Sequence, residues 1–459
     1  MIFKENKLKN NKNSLPFNDR FYYCITIIQL VMAVVWLFLS HSEIGYTPES
    51  DVFLNAAHNL KFDEYTGLLY PVLLSIVYSL VPQKVASCII YFIQFIVLMI
   101  SILFLLGKME KRKISGVIYI LSFPFTMQEI FLISPICLST AVFIWFYALV
   151  LSEDYKNKDI DLMFPFVLGA MLSRHLFYAM IMVWIMNILV TLSSYKLRKD
   201  YENKARAAVS SAIHLILIIA VSVAAEGMFI SHNEYNKMPA SLGTAFMSNL
   251  AFEHFEEDYY FWPEEVKAAV PFEELSEIVK SREYGTSKFG NIMSQKFSYE
   301  EMKKYAWKIG FASVFNRSKD TIITVLKETA GYFFMPFTLV VNLCGIGKSM
   351  TGYRMMYFSS NNPILSMLYM YVGFIMLAMY IIVICLHNMN HKKSVSAVDR
   401  RMVTRTVISW TLLSVFWGIF SDNYFDYFKM VPFYFIWVAA SIPISVNKTN
   451  ETNVTEESK

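Results

Sequence analysis

The sequence is poor in the features that mark many soluble enzymes. It has five cysteines and no C-x-x-C pair, which argues against a disulfide framework or a thiolate metal site. It contains no P-loop, no H-E-x-x-H motif and no glycine-rich nucleotide motif. Charged residues make up only 17% of the chain, and its lysines and arginines are concentrated in a few short loops, so the net charge of +4 does not indicate nucleic acid binding. The cysteines lie in or beside apolar runs, where we expect them to be packing residues: Cys24, Cys88, Cys137, Cys344 and Cys385.

Long apolar runs are abundant. Hydrophobic residues make up 55% of the chain and aromatic residues 16%, and several uninterrupted runs reach the ~20 residues that a helix needs to cross a bilayer. Backbone groups in lipid must be satisfied within a helix or a closed barrel, and runs this long fit helices rather than alternating strands. The sequence therefore predicts an all-α, polytopic membrane protein. The first run follows a basic head and has no small-residue cleavage site before His41, so we expect a retained anchor.

The positions of the basic loops predict an orientation. Lysine and arginine in short loops mark the cytoplasmic side of a membrane, and the loops 108–113, 196–206 and 387–405 carry them. The acidic loop 41–66 and the polar stretch 231–320 are then outside, and both termini are inside. We expect about ten spans, at 21–40, 85–107, 114–133, 136–151, 160–173, 176–194, 207–230, 364–386, 403–421 and 429–446. The resulting parts are a tail of 1–20, an N-terminal membrane module of 21–230 with a first outer loop of 41–84, an outer helical segment of 231–330, a C-terminal membrane module of 331–446 and a tail of 447–459.

Two further apolar runs do not fit as spans. If the run 67–82 crossed the membrane, the basic loop 108–113 would lie outside, and the run is also short for a span. We expect it to be a helix lying at or dipping into the outer interface, a depth that suits Tyr70 and Tyr78. The run 329–347 poses the same problem, and Pro336 suits a bent or re-entrant piece there.

The first outer loop contains a predicted surface helix. Pro48 is followed by the acids Glu49 and Asp51, a pattern that is typical of a helix start because the helix dipole favours negative charge in the first turn. At Asp51 the alternative to a functional role is a carboxylate that only caps the helix. The residues after it form an amphipathic pattern whose apolar members are Phe53, Leu54, Ala57 and Leu60.

The order of these features along the chain is informative as a whole. A first span, an acidic outer loop with an aspartate at its start, a surface helix and the run LLYPVLLSIVYSL are followed by spans joined by short loops. The segment SDNYFDYFKMVPFYFIW near the end of the chain combines aromatic and basic residues before a proline. This order resembles the GT-C superfamily of membrane glycosyltransferases over nearly the whole chain.

The resemblance implies transfer of a sugar from a polyprenyl-phosphate donor to an acceptor on the outer face, as in the dolichyl-phosphate-mannose mannosyltransferases. In that family an acidic residue of the first outer loop serves as general base or holds a metal, and by position the match is Asp51, with Glu49 as the second candidate. A carboxylate of the next outer loop matches Glu129, whose alternative role is simple solvation at the interface. This sequence departs from relatives with paired acids in the first loop, so a divalent metal is left open and no other cofactor is indicated.

Two basic residues are candidates for the donor phosphate. Arg174 is the only strong base between two apolar segments that the topology joins outside, and its guanidinium suits a phosphate or diphosphate. Its alternative role is snorkelling to lipid headgroups. Lys429, before the last span, is the second candidate, with Asp422 and Asp426 as alternative ion partners.

The outer segment 231–320 has helix-start signatures at Pro263 and Pro271, each followed by paired acids. It is too small for an independent catalytic domain but large enough to form a lid. The four aromatics at 259–262 either stack on sugar rings or pack in a core.

Two other classes of protein share parts of this pattern. One is a polymerase, ligase or flippase of lipid-linked saccharides, over which the acidic, helical first loop favours a transferase. The other is a secondary transporter, which would show related halves and mid-membrane charges that this sequence lacks. For the transferase we expect a bacterial plasma membrane location, an extracytoplasmic site, and as partners a polyprenyl-phosphate-linked sugar, a glycan, lipid or protein acceptor and membrane lipid, but no nucleic acid.

Overall fold

The computed structural model describes residues 20–39, 48–60, 62, 66–108, 116, 130–151, 158–195, 213, 216, 219–220, 242–251, 255–280, 285–333, 378, 381–382 and 397–420. Every regular element in these residues is a helix, which confirms the predicted all-α fold. A short 3-10 turn, Tyr259–Phe261, directly follows Asp258. The helices are α1 Arg20–Leu39, α2 Pro48–Asn59, α3 Leu69–Leu80, α4 Gln83–Lys108, α5 Ile136–Leu151, α6 Lys158–Leu172, α7 Arg174–Tyr195, α8 Leu242–Leu250, α9 Phe255–Asp258, α10 Glu264–Ala269, α11 Phe272–Lys280, α12 Gly285–Lys296, α13 Tyr299–Asn316, α14 Ser318–Phe333 and α15 Ala397–Phe420.

Helices α1, α4, α5, α6 and α7 fall on predicted spans, with ends within two residues of those expected. Helix α15 also falls on a predicted span but begins at Ala397, six residues before the expected start at 403. Two of the described stretches, Gln83–Gly107 and Val403–Phe420, are long and apolar enough to cross a membrane by length and composition. The number of ten spans stays a prediction, because all of 429–446 and most of 114–133, 207–230 and 364–386 lie outside the described residues.

The predicted end of the third span, at residue 133, is wrong. Ile130 is the last helical residue, and residues 131–135 form turns. The reason is Pro135, because a proline disfavours helical backbone at the residue before it. The carbonyl oxygen of Pro135 accepts a hydrogen bond of 2.8 Å from the backbone N–H of Ser139, in the first turn of α5.

Helix α5 is the centre of the first core. Its side chains from Ile136 to Val150 are buried with the exception of Trp145, and α4, α6 and α7 pack against it. Phe146 meets Phe166 of α6 edge-to-face, with the ring centroids 5.1 Å apart. A helix covered on every side must be apolar all round, which the sequence of α5 satisfies.

Polar contacts connect α15 to this core. The hydroxyl of Tyr147 donates to Oγ1 of Thr406 at 3.2 Å, and Nδ2 of Asn187 lies 3.4 Å from Oγ of Ser409. All four residues are buried. Hydrogen bonds of this kind hold helices together where apolar surfaces alone give little preference for one partner over another.

The outer faces of these helices are apolar. Ile27 and Val31 of α1 are exposed, and so are Phe92 and Ile100 of α4, while Gln94 on the inner side of α4 is fully buried. The bundle is thus apolar on its outer faces as well as in its core, whereas a water-soluble helical bundle rarely exposes large contiguous apolar patches. The same pattern recurs on α6 and α7 at Met163, Phe164, Val167, Ile185 and Leu189.

Helix α3 is too short to cross a membrane. Its 12 residues extend about 18 Å, against the ~30 Å of a hydrocarbon core. It packs antiparallel to the first half of α4: the hydroxyl of Tyr78 lies 3.0 Å from Oγ of Ser87, and the hydroxyl of Tyr70 donates to Oε1 of Gln94 at 3.2 Å. The prediction that run 67–82 is not a span agrees with this length, whereas its position at a membrane interface stays a prediction.

Helices α8 to α13, residues 242–316, form what we call the second module, with a core of its own. The predicted helix starts are confirmed, since α10 begins directly after Pro263 and α11 directly after Pro271. Ser298 and Glu301 form a capping box at the start of α13. The aromatic residues at 259–262 differ in burial: Tyr259 and Trp262 are buried in the core, whereas Tyr260 and Phe261 are exposed.

The second module and α14 both pack against α15. Phe420, at the end of α15, lies with its ring centroid 5.9 Å from that of Phe246 and 6.2 Å from that of Trp307. Along α14, Phe333 stacks on Trp410 at 4.6 Å. Helix α14 continues without a break through residue 330, where we had expected the outer segment to end.

Candidate functional site

The candidate site begins with the two faces of helix α2. Phe53 and Ala57 are buried, and the ring of Phe53 meets that of Tyr70 edge-to-face at 5.7 Å. Asp51, Asn55 and His58 are exposed, and their spacing of four and three residues puts them on one face of the helix. Helix α2 begins at Pro48, as predicted, and presents Asp51 to solvent from its first turn.

Leu60 does not belong to the apolar face, contrary to expectation. Helix α2 ends at Asn59, and Leu60 has a φ of +50° and is 58% exposed. A residue in the left-handed region lies past the helix end, so its side chain no longer follows the helical repeat.

Gln94 connects three segments beneath α2. Its Nε2 donates to the carbonyl oxygens of Ile130 at 2.6 Å and Leu132 at 3.0 Å, and its Oε1 accepts from Tyr70. The thiol of Cys137 points to the carbonyl oxygen of Gln94 at 3.6 Å, which agrees with the packing role expected for that cysteine. The turn that precedes α5 is thereby fixed against α4 and α3.

A second connection fixes the junction of α6 and α7. The backbone N–H of Leu68 donates to the carbonyl oxygen of Met171 at 2.9 Å. Gly67 has a φ of +61°, and a Cβ there would lie 2.5 Å from the carbonyl oxygen of Leu172, so both the backbone angle and the close approach require glycine. Ser173 follows at once, and its Oγ lies 3.5 Å from the backbone nitrogen of Leu176 in the first turn of α7.

These connections bring together the backbone segments that carry several predicted site residues. The helix of Asp51 packs on α3, and Ile130, directly after Glu129, is bonded to Gln94 under α3. Arg174 is the first residue of α7, three residues after the Met171 carbonyl that Leu68 contacts. Segments far apart in the chain therefore converge on α3. Glu49 is in the first turn of α2, while Glu129 and Lys429 lie outside the described residues.

Two residues of this junction were missed by the sequence reasoning. Gln94 is a lone amide within a long apolar run, and a buried polar residue in such a run is commonly functional or paired. The sequence alone could therefore have indicated Gln94 as a candidate. The role of Gly67 was not recognisable, because it depends on the approach of a chain segment that lies a hundred residues away.

In the described residues no group of three or more histidine, cysteine, aspartate or glutamate side chains is arranged to hold a metal ion. The suggestion that the protein binds a divalent metal therefore rests on the resemblance alone.

Comparison with known proteins adds no relative. No protein-family model matches the chain, and neither a curated protein nor a solved structure matches it. The assignment of a function thus depends on the residues and geometry of this chain.

Proposed function

We propose that the protein is a membrane glycosyltransferase that moves a sugar from a polyprenyl-phosphate donor to an acceptor on the outer face of the membrane. Ten spans, a cytoplasmic N-terminus and an outer first loop belong to the same proposal. The apolar outer faces of the bundle support membrane insertion, as do the two helices long enough to cross.

One observation carries the proposal. Asp51 is an exposed carboxylate on the polar face of α2, whose apolar face packs on α3, where the segment after Glu129 and the end of α6, two residues before Arg174, also meet. A base at a water-lipid boundary needs this combination, because it must reach a polar acceptor while the donor lipid stays in the bilayer.

In the proposed reaction Asp51 takes the proton of an acceptor hydroxyl. The acceptor oxygen forms a bond to the anomeric carbon of the sugar, and the bond from that carbon to the phosphate oxygen breaks. The polyprenyl phosphate leaves with the electron pair. Arg174 would bind the phosphate through its guanidinium, with Lys429 as a second cation.

The other carboxylates have subordinate places in this scheme. Glu49 shares the first turn of α2 with Asp51 and is the alternative base. Glu129, directly before the turn fixed by Gln94, is proposed to contact the sugar or the acceptor. The acceptor class, whether glycan, lipid or protein, is left open.

A donor screen tests the proposal. The purified protein is assayed with polyprenyl-phosphate sugars and with nucleotide sugars side by side, as wild type and as Asp51→Asn. The matched control is Asp161→Asn, which makes the same change at an exposed carboxylate near the start of α6. The contact of α6 with Leu68 is at its opposite end, at Met171, so the control lies away from the candidate site.

We expect transfer only from the lipid-linked donors, its loss in Asp51→Asn and its retention in Asp161→Asn. A further variant, Arg174→Ala, is expected to lose donor binding with the fold intact. Transfer only from nucleotide sugars would overturn the donor class, and full activity of a folded Asp51→Asn protein would remove Asp51 as the base.

A further inference from the structure

Helix α13 carries a row of large side chains on the face that points away from the core of the second module. Its buried residues are Met302, Ala306, Ile309, Gly310 and Ser313. On the opposite side of the helix, at spacings of three and four residues, lies a surface groove that we call the α13 stripe. It is lined by Lys304, Trp307, Lys308, Phe311, Ala312 and Phe315.

The three rings of the α13 stripe are continuous with the end of α15. The ring of Trp307 contacts that of Phe420 and stacks on that of Phe311, with the centroids of the stacked rings 5.7 Å apart. The ring of Phe311 in turn stacks on that of Phe315, at a centroid distance of 6.2 Å. Phe315 is 82% exposed and Phe311 44% exposed. Aromatic rings stabilise a protein mainly when they are buried away from water. A row of exposed rings therefore indicates a surface that binds an apolar partner.

The charge of the α13 stripe is positive. Lys304 and Lys308 are the only charged residues from 304 to 316, and both are exposed. The acids of the first turn are engaged elsewhere, since Glu300 pairs with Lys303 and Glu301 bonds to Ser298 in the capping box. The occupant of the α13 stripe therefore has an apolar part and a negative part.

We propose that the α13 stripe lies on the phospholipid surface around the end of α15. Phe420 ends a helix that is long and apolar enough to cross a membrane, so the rings beside it are at the depth where aromatic residues meet the headgroups. Lys304 and Lys308 then face anionic phosphates. Aromatic and basic residues on one helix face are the pattern of a helix that lies in the interface.

The start of α14 extends this surface. Ile322 and Leu326 are both exposed and lie one turn apart in the first half of α14, which begins two residues after the end of α13. The second module is held against the membrane by two helices as a result. The inference depends on membrane insertion but not on the sugar-transfer chemistry.

Spin labels on single cysteines test the inference in the full-length protein. The five native cysteines are replaced, and one cysteine is placed at Phe315, at Tyr260 or at Val415. Tyr260 is the matched control, an exposed aromatic of the same module that is not on α13. Val415, an exposed residue of α15, reports whether that helix is in lipid. The protein is reconstituted in phosphatidylcholine vesicles that contain phosphatidylglycerol, and access of oxygen and of a water-soluble nickel complex is measured.

We expect the label at 315 to resemble that at 415, with high oxygen access and low nickel access, and the label at 260 to show the opposite. Replacing both Lys304 and Lys308 by Gln should raise nickel access at 315.

Two outcomes would contradict the inference. If the label at 315 is as accessible to nickel as that at 260 while the label at 415 is in lipid, the docking of the α13 stripe is overturned. If the label at 415 is accessible to nickel, membrane insertion itself is overturned. Short-range coupling between labels at 315 would assign the surface to a second copy instead. If Phe315→Cys does not fold, Lys308→Cys provides the same readout.

Discussion

Arg317 holds Asp258 with two parallel hydrogen bonds: its Nε donates to Oδ1 and its Nη2 to Oδ2, each at 2.8 Å. The carboxylate is fully buried, and Nδ2 of Asn316 donates a third hydrogen bond to it at 3.1 Å. Arg317 directly follows α13, and Asp258 ends α9. The pair therefore fastens the end of α13 to the end of α9.

Replacing Arg317 by alanine should destabilise the second module by about 3–5 kcal/mol, because it leaves a buried carboxylate without its counter-charge. Arg317→Lys is the matched control, since it keeps the charge but loses the paired geometry, and it should give an intermediate loss. Thermal unfolding of the purified protein measures both. Equal stability of Arg317→Ala and wild type would show that the pair does not hold the module.

The same pair predicts a dependence of stability on pH. Burial by itself raises the pKa of Asp258, but the hydrogen bonds led by that of Arg317, together with the positive charge of Arg317, lower the pKa below its ordinary value. A lowered folded pKa stabilises the protein above the unfolded value of about 3.9, and the stabilisation is lost as the pH falls through the folded pKa. Wild type should be more stable than Asp258→Asn at pH 6, and the difference should shrink below about pH 4. A difference that does not change over this range would contradict the assignment.

Gly310→Ala should weaken the contact between α8 and α13. A Cβ at Gly310 would overlap the ring of Phe246, so the ring must move. We expect a loss of about 1–3 kcal/mol from overpacking, which exceeds the gain in helix propensity. Thermal unfolding of Gly310→Ala, of Phe246→Leu and of the double variant measures the coupling, and the double variant should lose less than the sum of the two. Strict additivity would indicate that the ring does not limit residue 310.

Gln94→Leu should reduce transfer activity more than it reduces stability. The substitution leaves the carbonyls of Ile130 and Leu132 without their donor, at a cost of about 1–3 kcal/mol, and frees the turn that follows Glu129. Ser101→Ala is the control on the same helix, because among the described residues the hydroxyl of Ser101 bonds to Val97 of its own helix and to no other. The readouts are activity and unfolding temperature, with Ser101→Ala close to wild type in both. Full activity of Gln94→Leu would separate the turn from the site.

The helices were predictable because local information determines them. The length of the apolar runs fixed α1, α4 and α5, and Pro48 marked the start of α2. The end of α2 was less predictable, since Leu60 continues the apolar spacing and only its left-handed backbone removes it from the helix.

The contacts that arrange the candidate site were not predictable in the same way. Gln94 and Ile130 are 36 residues apart, and Asp258 and Arg317 are 59 apart, so each pair depends on how the helices pack. No periodicity in the sequence encodes these pairings. The sequence indicated which residues have suitable chemistry, whereas the packing decides which of their segments meet.

The side of the membrane on which residue 51 lies tests the account most directly. Asp51→Cys in a cysteine-free protein is treated in intact cells with a membrane-impermeant maleimide, beside Lys111→Cys in the basic loop predicted to be cytoplasmic. We predict that residue 51 reacts in intact cells and that residue 111 reacts only after permeabilisation. Reaction of residue 51 only after permeabilisation would place its carboxylate on the cytoplasmic side and contradict transfer at the outer face.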